Sequence, residues 1–170
     1  MNKALLVIDL QNDYLWEKRK DKFAYDTEKL IKSVNDLIEQ FQKEEHDIIY
    51  IKHIIQNNPV NRKLFGFSIR GTEGAELYSD LNIASEYCFE KLLPDAFSSK
   101  KLKKFMKEKQ YDTVSICGID EGGCVSATAK GAVKTGLFVE MLTSGTATYF
   151  PPVKIEKLRN QLKAKGVKYV

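Results

Sequence analysis

The sequence predicts an α/β fold of three layers, a mainly parallel six-stranded sheet wound doubly between helices. Two observations carry this. Short, fully apolar runs such as Ala4-Leu5-Leu6-Val7-Ile8 read as strands covered on both faces. These runs also alternate with segments of helical periodicity along the whole chain, the pattern that builds a parallel sheet between helix layers.

The elements follow in order. After the first strand, Asp26 to about Glu44 places Leu30, Ile31, Val34, Leu37, Ile38 and Phe41 on one helical stripe. Asp47–His53 (DIIYIKH) is the second strand. Residues 54–86 have weak periodicity and contain Gly66, Gly71 and Gly74; so long a connection predicts a lid or an oligomer contact in part. Tyr87–Lys91 is a third strand, followed by a helix that Ser98 or Ser99 can cap. Thr113–Cys117 is the fourth strand, with a helix from about Gly123 to Gly136. Leu137–Leu142 is the fifth. Pro151 and Pro152 open a last helix, Gly166 closes it, and Val167–Val170 forms the sixth strand. Right-handed crossovers restrict the topology further.

At 170 residues the chain fits one domain, 1–170, with no repeat or Pro/Gly-rich linker to divide it. A net charge of +4 does not indicate nucleic acid, and the densest basic run, Lys100 to Lys109, falls on an expected surface helix. The apolar run in MNKALLVIDL is too short for a secretory or membrane segment. With three cysteines, Cys88, Cys117 and Cys124, a reducing cytoplasmic compartment and free thiols are expected.

Chemistry gathers where strands end. Asp9 follows the first strand, His53 ends the second, Lys91 ends the third, and the fourth runs into Gly118-Ile119-Asp120-Glu121-Gly122-Gly123-Cys124. A charge at one strand tip is usually where chain meets water. Four at one edge point to a site, because ligands bind beyond the carboxyl ends of such strands. At the start of a helix, Cys124 is expected to have a lowered pKa and to lie near free N–H groups able to hold an oxyanion. The competing reading is a small buried apolar residue, as for Cys88 and Cys117; position alone leaves the two even. Either Asp9, balanced by Lys91, or His53 can be the base for such a thiol. No pair of histidines has metal-ligand spacing, no CxxC occurs, and there is neither a P-loop nor a GxGxxG after the first strand.

Taken together, these motifs resemble the isochorismatase-like, or cysteine hydrolase, superfamily, which includes nicotinamidases and N-carbamoylsarcosine amidase. Asp9-Leu10-Gln11-Asn12-Asp13-Tyr14 resembles its opening DxQNDF, and Gly71 to Leu77 its GTxGAEL loop. Lys91 with Asp95-Ala96-Phe97 resembles KxxxSAF, and Cys117-Gly118-Ile119 leading to Cys124-Val125, Thr128-Ala129 and Gly136 resembles the nucleophile segment. The resemblance implies an isochorismatase-like, Rossmann-like fold, with Asp9 as general base, Lys91 as its charged partner and Cys124 as nucleophile. It implies a cis peptide between Ile119 and Asp120, with N–H groups of Asp120 and Cys124 as the oxyanion hole. It also implies a homodimer or larger assembly.

Two departures stand out. Nicotinamidases carry an Asp and histidines after the second strand to hold a metal, where this chain has Lys52-His53-Ile54-Ile55-Gln56. No catalytic metal and no cofactor are therefore expected. The family usually has Thr-x-x-Cys where this chain has Glu121-Gly122-Gly123-Cys124, so Glu121 joins Tyr14 and His53 as a pocket residue. The leading reading is a metal-independent amidase-like hydrolase of a small molecule, without membrane partners; the alternative is a catalytically idle member that binds a ligand or partner through the same pocket. A flavodoxin-like electron carrier lacks the phosphate loop it would need.

Overall fold

The computed structural model describes residues 2–170. Its strands are β1 Lys3–Ile8, β2 Asp47–His53, β3 Cys88–Lys91, β4 Thr113–Gly118, β5 Phe138–Thr146 and β6 Lys168–Tyr169. They form one sheet in the order β3-β2-β1-β4-β5-β6, every pair parallel. The chain therefore winds outward from β1 to β3, then returns to the other side of β1 for β4. The switch point lies between β1 and β4, the place where sheets of this kind bind their ligands.

The helices are α1 Asn12–Leu15, α2 Thr27–Lys43, α3 Pro59–Leu64, α4 Lys100–Glu108, α5 Ser126–Lys134 and α6 Pro152–Lys163. Alternation along β1 divides the core between two faces. Leu5 and Val7 pack with Leu30, Ile31, Val34 and Ile38 of α2, whereas Ala4, Leu6 and Ile8 pack with Leu102, Met106, Ala129 and Leu162 of α4, α5 and α6. Asp26 caps α2 by accepting from Lys29 N–H, and Ser99 caps α4 through Leu102 N–H. Among the described residues no helix is long and apolar enough to cross a membrane.

Several boundaries differ from the sequence reading. β5 runs on to Thr146 because Gly118 pairs with Thr146 past an irregularity after Ile116. The helix expected from Gly123 begins only at Ser126, after a wide helical turn over Glu121–Val125. Cys88, expected to be buried, is exposed because β3 is an edge strand. The 54–86 segment folds over the carboxyl edge of the sheet and is held there from the 11–14 stretch. Gln11 Nε2 donates to Ala75 O, Asn12 Nδ2 to Glu73 O, and Ser68 N–H donates to Asp13 Oδ2. Gly74 is needed for that closure, since a Cβ there would lie 2.2 Å from the Asp13 carboxylate.

Candidate active site

Asp9 leaves β1 with φ +55°, a left-handed turn of the backbone that aspartate tolerates better than most residues, and the residue is only 2% exposed. Lys91 enters from the end of β3 and is equally buried. Its Nζ lies 2.8 Å from Asp9 Oδ2 and 3.2 Å from Cys124 Sγ. The other carboxylate oxygen, Asp9 Oδ1, has no hydrogen-bond partner among the described residues. The switch point thus brings together one residue each from the ends of β1, β3 and β4.

His53 sits beside Lys91 in the β2–β3 register. Gln11 fixes its backbone from both sides, accepting from His53 N–H at 2.8 Å and donating to His53 O at 3.0 Å. The ring Nδ1 lies 3.3 Å from the Tyr14 hydroxyl, which accepts from Ser68 Oγ at 2.9 Å.

The peptide bond between Ile119 and Asp120 is cis. The Asp120 carboxylate then gathers the turn, accepting from Tyr25 Oη at 3.0 Å, Gly122 N–H at 2.7 Å, Thr148 Oγ1 at 2.8 Å and Tyr149 N–H at 3.1 Å. The Asp120 N–H donates to no group among the described residues. Glu121, expected at the pocket, is engaged elsewhere. Arg159 of α6 donates to both its carboxylate oxygens, Nε to Oε1 at 2.6 Å and Nη2 to Oε2 at 2.8 Å, and Glu121 is only 2% exposed.

Burial pushes the Cys124 thiol up to about 12, with the Asp9 charge adding to the rise and Lys91 opposing it. The lowering expected from a helix N-terminus is thus overturned: Cys124 lies inside the wide turn, before α5 begins, and desolvation outweighs the cation. For Lys91, burial works against the ammonium, yet Asp9 and Cys124 outweigh it and hold the pKa above the ordinary lysine value. Burial, reinforced by the Lys91 charge, lowers His53.

Asp9, His53 and Cys124 each offer a donor atom, all within 4.8 Å of one another. The set fits a metal poorly, because the Lys91 ammonium already lies against two of the three. Residues that the sequence reading passed over also shape the site. Gln11 and Ser68 support His53 and Tyr14, while Tyr25 and Thr148 hold Asp120. Gln11 and Ser68 are polar residues 0% exposed, a property that spacing does not show.

A doubly wound parallel sheet with Asp9, Lys91 and Cys124 together at its switch point defines the class as a three-layer α/β protein. The chain belongs to the isochorismatase family: the family model described as an isochorismatase domain matches residues 3–168. It is 27% identical over 150 residues to the uncharacterized isochorismatase family protein YddQ of Bacillus subtilis, covering 87% of this chain and 79% of the relative. A probable inactive nicotinamidase of Arabidopsis thaliana is 28% identical over 180 residues, covering 98% and 91%. An isochorismatase-like hydrolase from Alkaliphilus metalliredigens superposes with a TM-score of 0.85 at 26% identity, covering 99% of this chain and 92% of the other.

Proposed function

We propose that the protein is a metal-independent cysteine hydrolase that cleaves a small amide-type C–N bond. The supporting observation is Lys91 Nζ bridging Asp9 and Cys124 while the buried Asp9 Oδ1 has no partner among the described residues. Oδ1 is the base that takes the thiol proton as Cys124 Sγ attacks the carbonyl carbon. The Lys91 ammonium steadies the sulfur as it becomes thiolate. N–H groups of Asp120 and Cys124 receive the oxyanion, the Asp120 donor being otherwise unused among the described residues. Collapse breaks the C–N bond, and the leaving nitrogen takes the proton back from Asp9. Water then attacks the thioester, giving its proton to Asp9, and the acid leaves as the thiol reforms. His53, neutral and bonded to Tyr14, lines the pocket rather than serving as base. Free thiols suit a reducing, cytoplasmic setting, and a homodimer or larger assembly goes with the same reading.

The second reading is an idle member that binds a ligand through this pocket. It is favoured by the high pKa of Cys124 and by the relative named a probable inactive nicotinamidase. A screen of small amides, ureido acids and lactams decides between them, with Cys124→Ala as control and acid quench followed by mass spectrometry. An acyl adduct on Cys124 and turnover absent from the control support the hydrolase. Saturable binding with neither supports the idle member.

A further inference from the structure

Glu121 and Arg159 form a bidentate ion pair at the very turn that carries the nucleophile. Glu121 is 2% exposed, and its backbone is held as well: its N–H donates to Ala147 O at 3.0 Å, and its carbonyl accepts from Ser126 Oγ. Two glycines separate it from Cys124, and glycine has the widest backbone freedom of any residue. Gly122 is needed where it stands, since a Cβ would lie 2.3 Å from the Phe150 ring. At Gly123 a Cβ would meet Asp120 Cβ at 3.8 Å, an ordinary contact. Inside the turn, Gly122 N–H donates to Asp120 Oδ1, and Gly123 N–H and Val125 N–H donate to Asp120 O; beyond these ties it is open to a further anchor. Arg159 supplies one from α6, its guanidinium 5.5 Å from the Tyr169 ring of β6. The pair is half-buried, with the Glu121 side chain 2% and the Arg159 side chain 40% exposed, and its fixed two-point geometry rather than its burial is what bears on the turn.

We propose that Arg159 is a positioning residue, whose fork on Glu121 holds the glycine turn so that the Cys124 sulfur stays against Lys91. This rests on the hydrolase reading only in taking the Lys91–Cys124 contact as functional. It adds a residue from the last helix, far in sequence from every strand-end group.

The test asks how strongly Lys91 governs Cys124 with and without the pair. Second-order rates of iodoacetamide alkylation at Cys124, read by mass spectrometry against Cys88 in the same molecule, are compared for wild type and Lys91→Met. The comparison is repeated in a Glu121→Leu/Arg159→Met background, which removes both charges together. The expected result is a Lys91 effect of about tenfold in the wild type, the thiolate loss of one pKa unit, and less than twofold in the double variant, with its melting temperature close to wild type. An undiminished tenfold effect there overturns the proposal. Should the double variant not fold, Glu121→Gln enters the same comparison. A Lys91 effect cut to about threefold then supports the proposal, and an unchanged one overturns it. No Lys91 effect even in the wild type overturns the proposal too, and is told apart because it removes the hydrolase reading as well.

Discussion

The Lys91 ammonium lies 3.2 Å from the Cys124 sulfur, yet burial still leaves that thiol with a pKa of about 12. The two effects oppose each other, and desolvation wins. Alkylation of Cys124 proceeds through the thiolate. Its rate is therefore expected to climb about tenfold per pH unit through neutrality and on past pH 9. A plateau near pH 7 in a rate–pH profile resolved by residue would contradict this.

Replacing Asp9 separates reactivity from catalysis. Its charge raises the Cys124 pKa, so Asp9→Asn is expected to speed alkylation at pH 8. The same change removes the proposed base, and turnover of any substrate found in the screen should fall by about 10²–10⁴-fold. Parallel rates of both processes on one preparation check the pair of signs. If alkylation and turnover slowed together, Asp9 would be supporting the thiolate rather than taking its proton.

His53 contributes to acid sensitivity. Burial and Lys91 depress its folded pKa, so the unfolded chain binds its proton more readily than the native one. Stability from this group is present above the unfolded value of about 6.5 and is lost as pH falls toward the folded pKa. His53→Gln should therefore show a smaller drop in urea midpoint than wild type between pH 7 and pH 5. An equal drop in both proteins would place the acid sensitivity elsewhere.

Gly118→Ala is expected to be severely destabilising, by 4 kcal/mol or more on the order of the largest single-residue effects. A Cβ there would stand 2.1 Å from the Ile8 carbonyl oxygen, and φ is +114°. Because the obstacle is backbone of β1 itself, no rotamer change relieves it. Urea denaturation of the variant, if it is recovered folded at all, measures the loss; a midpoint near wild type would mean that β1 and β4 can separate at little cost.

Much of this arrangement was legible in the chain. Parallel strands buried on both faces have continuous apolar runs, and α2 carries an unbroken stripe from Leu30 to Phe41, so those elements announced themselves. Asp9, His53, Lys91 and Cys124 could be gathered at one edge because each directly follows or ends a strand or its turn. The role of Glu121 could not be read that way. Its partner Arg159 is one of several charges along α6, and nothing in the spacing distinguishes it from a solvated one. The pKa of Cys124 was misjudged for a related reason. Proximity to a helix start is visible in sequence, whereas the depth at which the thiol is desolvated depends on long-range packing, which spacing does not show.

The strand order has a consequence for how the molecule comes into being. β1 lies at the centre of the sheet, but one of its two neighbours, β4, is paired through Lys3 with Thr113. Contacts between such distant stretches of chain form late, since a long loop must close before they return any stabilisation. During synthesis, β1, β2 and β3 can zip together while the thiol of Cys124 has yet to leave the ribosome. Asp9 and Lys91 are then made before the third member, and no chain that stops short of Cys124 carries an assembled reactive centre.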